Sequence, residues 1–264
     1  MTVHEALRLA EERLAEAGVD TPRVDAEWLV SHVLGVPRSE VFAEPDREVP
    51  GGFELLLERR QKREPLAYVL GEWGFRRLTL KTDARALVPR PETEVVVERC
   101  LALLRDERAP RVLDVGVGSG AIALAIADEH PGARVTAVDS SRDALDLARE
   151  NAERLLLDIE IREGGFEVAA EGWELVVSNP PYTRPAEWES LQPEIRDWEP
   201  RKALVGEGLQ EEIARRAKTR WLVLEVGDGQ ARRVADELGS LGYTGVTISP
   251  DLSGRARVVE GRRS

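Results

Sequence analysis

Residues 111–121 read RVLDVGVGSGA. Val112, Leu113 and Val115 make a short apolar run around Asp114, three glycines follow, and the helix-forming stretch AIALAIADE begins at Ala121. A buried strand that turns sharply through glycines into a helix is the opening unit of a nucleoside-binding α/β domain. Glycine permits the tight turn and lets the backbone approach a ligand closely, and a helix start offers unpaired N–H groups. Gly116, Gly118 and Ala121 satisfy the G-x-G-x-x-G/A dinucleotide pattern. Asp114 through Gly120 equally satisfy the D-x-G-x-G-x-G pattern of methyl-transferring enzymes. The loop alone leaves both open.

The surrounding chain repeats the unit. Strands are expected at 111–116, 134–139, 159–164, 175–179 and 221–227, with helices at 95–104, 121–129, 142–156 and 208–218 between them. Short apolar strands joined by helices imply a parallel sheet covered on both faces. The segments YTGVTIS (243–249) and RARVVEG (255–261), separated by Pro250 and Gly254, read as a closing antiparallel pair. The expectation is an α/β fold with a doubly wound, mostly parallel seven-stranded sheet, Rossmann-like in the methyltransferase manner. Its ligands would lie at the carboxyl ends of the strands. The closing pair suits a methyltransferase sheet better than an all-parallel dinucleotide fold.

Residues 1–65 read differently. Leu7, Ala10, Leu14 and Ala17 fall at helical spacing before Gly18. A second helix starts at Thr21-Pro22 and stops at Gly35; a third begins near Ser39 and a fourth covers FELLLERRQKR (53–63). A helical domain over 1–65 that recognises a partner is expected. A β-hairpin linker over 66–88, broken by Gly71 and Gly74, would join it to a methyltransferase domain over 89–264.

Composition narrows the chemistry. The chain has 264 residues, 42% of them hydrophobic, and a net charge of −12. That charge disfavours a broad electrostatic grip on nucleic acid, and the basic RRQKR at 59–63 reads as the solvated face of a helix. No apolar run approaches the ~20 residues of a membrane span, and the charged N-terminus is unlike a secretory leader. One cysteine, Cys100, allows no intrachain disulfide, and His4, His32 and His130 are scattered, so no metal is expected. A cytoplasmic location follows from these features.

Two positions carry the candidate chemistry. Asp139 ends the second strand, where a carboxylate can accept hydrogen bonds from both hydroxyls of a ribose. Together with Gly116, Val117, Gly118, Ser119 and Gly120 it is the expected cofactor site. Asn179 ends the fourth strand, beside the first, in the stretch SNPPY (178–182). Its side-chain oxygen and the Pro180 carbonyl are two acceptors. Pro181 has no N–H to compete, and Tyr182 offers a flat face for a planar group. Asn179, Pro180, Pro181 and Tyr182 thus form a seat for a planar –NH2 group next to the methyl of S-adenosylmethionine. Asn179, Pro180 and Tyr182 are the expected catalytic residues. Such a nitrogen is a poor nucleophile, so orientation must supply the help. A glutamine amide and a nucleic-acid adenine fit this seat equally.

At this point the sequence resembles the peptide-chain release factor glutamine methyltransferases. EPLAYVLGEWGF, LVPRPETE, VLDVGVGSGAIALA, AVDSS, VSNPPY, WEPRKAL, LEVG and DLSGRARVV stand in the order of that family. The resemblance implies methyl transfer from S-adenosylmethionine, yielding S-adenosylhomocysteine. The acceptor would be the side-chain nitrogen of glutamine in the Gly-Gly-Gln motif of class I release factors. It implies that Arg90 to Glu94 lie near the cofactor mouth. It departs from the family at EGGF (163–166), where Gly164 and Gly165 replace an aspartate and a large residue. Phe166 or backbone groups are left to meet the adenine. A nucleic-acid adenine methyltransferase, a non-catalytic protein that keeps the pocket and a nicotinamide oxidoreductase are the competing readings.

Overall fold

The computed structural model describes residues 1–263. The chain divides into two compact units, Met1–Glu72 with Gln192–Trp198, and Trp73–Leu191 with Glu199–Ser264.

The first unit is helical: α1 (Val3–Glu16), α2 (Pro22–Leu34), a single 3-10 turn at Arg38–Glu40, α3 (Phe53–Gln61) and α4 (Leu66–Leu70). Thr2 and Glu5 form a capping box at the start of α1. Leu7, Ala10 and Leu14 on one face of α1 meet Ala26, Leu29 and Val30 of α2 and Phe53 and Leu57 of α3 in an apolar core. The segment 66–88 does not open as a strand. Leu-Ala-Tyr-Val-Leu is a helical turn between Pro65 and a left-handed Gly71, and its uniformly apolar sequence carries no period that separates helix from strand.

A buried ion cluster ties the late segment to this unit. Arg60 donates to Asp25 (2.6 Å), to the Glu64 carbonyl (3.1 Å) and to Glu194 (2.8 Å). Glu194 also receives both ends of Arg63. Glu194 lies in a later short helix, α8 (Pro193–Arg196).

The second unit begins with the hairpin β1 (Glu72–Phe75) and β2 (Leu78–Lys81) and α5 (Thr93–Leu104). The sheet follows: β3 (Arg111–Val115), α6 (Ala121–Glu129), β4 (Arg134–Asp139), α7 (Arg142–Leu155), β5 (Glu160–Glu163), β6 (Trp173–Ser178), α9 (Arg201–Leu204), α10 (Leu209–Arg216), β7 (Thr219–Glu225), α11 (Ala231–Ser240), β8 (Thr244–Pro250) and β9 (Ala256–Arg262). The seven strands stand in the order β5-β4-β3-β6-β7-β9-β8. All pair in parallel except β9, which is antiparallel to both β7 and β8. The expected doubly wound sheet with a closing antiparallel pair is therefore present. Helix α11 was not among the expected helices: its charged residues obscure the spacing of Ala231, Val234 and Leu238, which it buries.

Apolar clusters cover both faces of the sheet. The hairpin is fastened to α7 by Asn151, fully buried, which accepts from the Lys81 N–H (2.7 Å) and donates to the Lys81 and Ser119 carbonyls. Among the described residues no helix is long and apolar enough to cross a membrane.

Candidate active site

The strand order puts β3, β4 and β6 side by side, so their carboxyl ends open on one place. A cavity of about 660 Å³ lies there, large enough for a nucleoside-sized ligand. Gly116, Val117, Gly118 and Ser119 line it, with Asp139, Gly164, Phe166, Asn179 and Pro181. Gly120, Pro180 and Tyr182 do not. Ala86 to Arg90, Thr93 and Arg201 to Ala203 also contribute to the wall.

The loop after β3 is bent by Gly116 (φ +82°) and Gly120 (φ +91°), values that side chains disfavour. Apart from its own chain neighbours, no atom of the described residues lies within 4 Å of the place a Cβ would take at Gly116, so its backbone can meet a ligand directly. At Gly120 a Cβ would stand 2.8 Å from Leu124 Cδ1, so the start of α6 needs glycine for packing as well.

The helix start has part of its donors already engaged. Gly116 and Val117 N–H donate to the Val138 carbonyl (2.8 and 3.0 Å), and Gly120 N–H to that of Val117 (2.8 Å). Gly118 N–H donates to Asp139 (3.1 Å), and Ala123 N–H to the buried Asp114 (3.1 Å). Burial pushes the Asp114 carboxyl up to about 7, against the Ala123 hydrogen bond and helped by nearby Asp139. Two carboxyl groups thus hold two of the donors at this helix start. Asp139 accepts from Ser141 N–H (2.9 Å) on its other oxygen, and each oxygen keeps a lone pair for a ribose hydroxyl.

At the EGGF departure, Gly164 and Phe166 are cavity residues. A Cβ at Gly164 would stand 2.9 Å from Val168 Cγ2, so the tight 3-10 turn at Phe166–Glu171 packs against bare backbone there.

The end of β6 is held from several sides. Ser178 Oγ donates to the Val115 carbonyl (2.6 Å). The two prolines then end strand pairing, since neither can donate to a neighbour. Gln230 Nε2 donates to the Tyr182 carbonyl (3.0 Å), and Thr183 pairs with the Leu204–Gly206 segment. The Tyr182 ring passes so close to Gly227 that a Cβ there would stand 2.9 Å from it.

Asn179 is joined to Thr93, which lies in the 90–94 stretch expected near the cofactor mouth, and through it to Glu225, which sequence reasoning missed. Ser178 pairs with Leu224, so Asn179 emerges beside Glu225, the last residue of β7. Asn179 Nδ2 donates to Thr93 Oγ1 (3.3 Å), and Thr93 Oγ1 donates to Glu225 Oε2 (2.7 Å). The Tyr182 hydroxyl faces Glu225 Oε1 at 3.4 Å. Glu225 is 1% exposed. Burial pushes its carboxyl up to about 7, although the Thr93 hydrogen bond and nearby Arg257 pull the other way. Burial and Glu225 also push the Tyr182 phenol up to about 12. Thr93 stands inside PRPETE and Glu225 inside LEVG, but neither motif shows that they touch. From the same PRPETE turn, Arg90 reaches the buried Glu199 of WEPRKAL (2.7 and 2.8 Å). Among the described residues no group of histidine, cysteine or acidic side chains is gathered to hold a metal ion.

The sheet order, the glycine loop, Asp139 and the asparagine at the end of β6 define a methyltransferase domain. The family model described as methyltransferase small domain matches residues 95–193, and that described as PrmC N-terminal domain matches residues 5–71. The chain belongs to the release factor glutamine methyltransferase family. A relative of that name from Deinococcus radiodurans is 41% identical over 280 residues, covering 100% of this chain and 99% of the relative. One from Geobacter sulfurreducens is 40% identical over 276 residues, covering 99% and 96%. Among solved structures, the catalytic domain of hMettl16 in complex with the MAT2A 3'UTR hairpin 6 superposes with a TM-score of 0.57 at 14% identity, over 69% of this chain and 74% of that one. That likeness is one of fold.

Proposed function

We propose that this protein transfers a methyl group from S-adenosylmethionine to the side-chain amide nitrogen of a glutamine, that of the Gly-Gly-Gln motif in class I peptide chain release factors. The observation that carries the reading is the full-length identity to relatives of that name, joined to an asparagine at the cavity wall whose amide nitrogen is already engaged by Thr93. That engagement leaves Asn179 Oδ1 to accept from a substrate N–H.

The residues present fit the cofactor. The cavity has nucleoside size, and the loop at Gly116 is bare backbone. Gly116 to Gly120 would pass along the cofactor, Asp139 would take its ribose hydroxyls, and Phe166 would meet the adenine. When bound, the cofactor supplies an electrophilic methyl group on sulfur. Asn179 Oδ1 and the Pro180 carbonyl would accept the two N–H bonds of the substrate amide. Tyr182 would lie along the amide plane, and Pro181 would keep competing donors away. Holding the amide in this way aims its lone pair at the methyl and raises electron density on nitrogen. The nitrogen becomes acidic once alkylated, so its proton can leave to water without a dedicated base.

The helical unit would recognise the release factor and the second unit would carry the chemistry, with residues 66–88 as the connection. This substrate would be met in the cytoplasm, and neither nucleic acid nor membrane would take part directly. The test is incubation with labelled S-adenosylmethionine and a class I release factor, followed by mass spectrometry of the Gly-Gly-Gln peptide. Label on that glutamine is expected; its absence, with label on RNA or DNA instead, would favour the adenine reading.

A further inference from the structure

Asn179 serves the proposed reaction only if its oxygen, not its nitrogen, faces the substrate. A carboxamide fits a pocket either way round, so something must choose. The choice is made two residues away. Thr93 has one hydroxyl proton and stands between Asn179 (3.3 Å) and Glu225 (2.7 Å). An ionised carboxylate can only accept. While Glu225 is ionised, the Thr93 proton must point to it, and Thr93 can then only accept from Asn179. The Asn179 nitrogen turns toward Thr93 and its oxygen toward the cavity. Once Glu225 Oε2 carries a proton, that proton can be donated to Thr93. The Thr93 proton is then free to point at Asn179, and the carboxamide is stable in the reverse sense, with its NH2 facing the substrate NH2.

We propose that Glu225 is a positioning residue for Asn179: through Thr93, its negative charge sets the acceptor polarity of the substrate amide seat. This rests on the proposed glutamine-methylating activity. The groups that face Glu225 agree with it. Thr93 comes from α5 and Tyr182 from the turn after β6. Arg257 on β9 lies nearby but is committed to Asp251 (3.3 Å) and to the Val226 carbonyl (3.1 Å). Glu92 adds negative charge that favours protonation. No cation is bonded to Glu225 among the described residues, and its carboxyl, at about 7, changes charge near neutral pH. The phenol of Tyr182, at about 12, stays neutral through the same range.

The experiment is the pH profile of kcat/KM between about pH 6 and 9, on a release factor substrate. Binding of S-adenosylmethionine is measured by calorimetry at each pH, and folding by circular dichroism. The wild type is expected to lose activity on the acid side, with a midpoint near 7, while cofactor affinity stays level. Glu225→Gln should abolish that acid limb and lower kcat/KM at alkaline pH by about tenfold, the worth of a hydrogen bond to a charged group. Thr93→Val, which keeps Glu225 but cuts the relay, should flatten the limb in the same way, and Thr93→Ser should restore it. A Glu225→Gln enzyme with the wild-type acid limb would overturn the inference. So would Val and Ser at position 93 behaving alike, which decides the matter even if Glu225→Gln does not fold. A wild type that labels no release factor refutes the functional reading and the inference with it. Label with an unaltered limb in the variants refutes the inference alone.

Discussion

The two units of this protein bury charge in opposite ways. In the helical unit Arg60, 5% exposed, is met by Asp25, by Glu194 and by a carbonyl, and Arg63 completes the cluster. Burial would push the Glu194 carboxyl up, but hydrogen bonds from Arg63 and Arg60 outweigh it and hold it below the usual range. In the methyltransferase unit Glu225 is buried as deeply with two hydroxyls and no bonded cation, and its carboxyl rises to about 7. A paired buried charge holds structure together. An under-paired one is costly to stability and responsive to pH, and such groups gather at functional sites.

The largest expected effect lies at the under-paired site. Asn179→Ala removes the acceptor that faces the cavity and should lower kcat/KM by about 10²–10³-fold, as loss of one aligned polar group does elsewhere. Calorimetry should find S-adenosylmethionine binding within a few-fold of wild type. Near-wild-type turnover would remove Asn179 from the mechanism. At the paired site, Arg60→Met should leave turnover chemistry intact but take from Asp25 its cation, while Glu194 keeps Arg63. Breaking a buried pair from one side costs about 3–5 kcal/mol, measurable by urea denaturation. A loss below about 1 kcal/mol would mean that the cluster behaves as a surface pair.

The two carboxyl groups should also answer pH with opposite signs. Glu194 has a lowered value in the fold, so its contribution is present above the unfolded value and fades as pH falls through the folded one. Glu225 is raised, so the fold gains from its protonated form: stability falls as pH rises from its ordinary 4.5 through about 7. The shift corresponds to roughly 3 kcal/mol at most. Asp114, also at about 7, adds to the same slope. Native-state hydrogen exchange between these limits should show the sheet losing protection as pH rises, and Glu225→Gln should remove part of the slope. An unchanged slope would show that Glu225 is charged at lower pH than its burial implies.

The difference between the two sites also decides what could be read from the sequence. The glycine loop, Asp139 and SNPPY are local, each one strand end with its own turn, so residue types and spacing were enough to place them at the ends of β3, β4 and β6. Glu225 and Thr93 are separated by 132 positions and meet because α5 packs against β7, and Asn179 joins them because β6 lies beside β7 with Ser178 against Leu224. No short stretch carries that register. The helical unit hides more. Arg60 reads as a solvated residue in RRQKR, yet it is buried because Glu194, 134 positions on, returns to it. Within the loop, the glycines announced the turn, but the capture of N–H groups by Val138 and Asp139 depends on β4 lying alongside.

A substitution at Gly227 tests how closely the under-paired site is shaped. Its Cα backs onto the Tyr182 ring, and a methyl group there would stand 2.9 Å from Cδ2 and 3.1 Å from Gln230. Gly227→Ala should push the ring and loosen the Gln230 hold on the Tyr182 carbonyl, lowering kcat/KM by about tenfold, since small displacements of positioning groups are felt strongly. Wild-type kinetics would mean that the ring position is slack.

The smallest effect belongs to a pair that is neither buried nor near a site. Arg8 and Glu12 sit one helical turn apart on α1 with their side chains 66% and 58% exposed, at 3.0 Å. The geometry is as good as that of Arg60 with Glu194, and the sequence spacing is the favourable one for a helix. If pairing were what stabilised the helical unit, Arg8→Ala would cost as much as Arg60→Met. Water screens exposed charges, so the expected loss is about 0.5 kcal/mol or less, falling further as salt is added. Urea denaturation of both variants at low and high salt makes the comparison directly. A salt-sensitive loss at Arg8 beside a larger, salt-insensitive one at Arg60 would assign the difference to burial, because the partners in both cases are an arginine and a carboxylate.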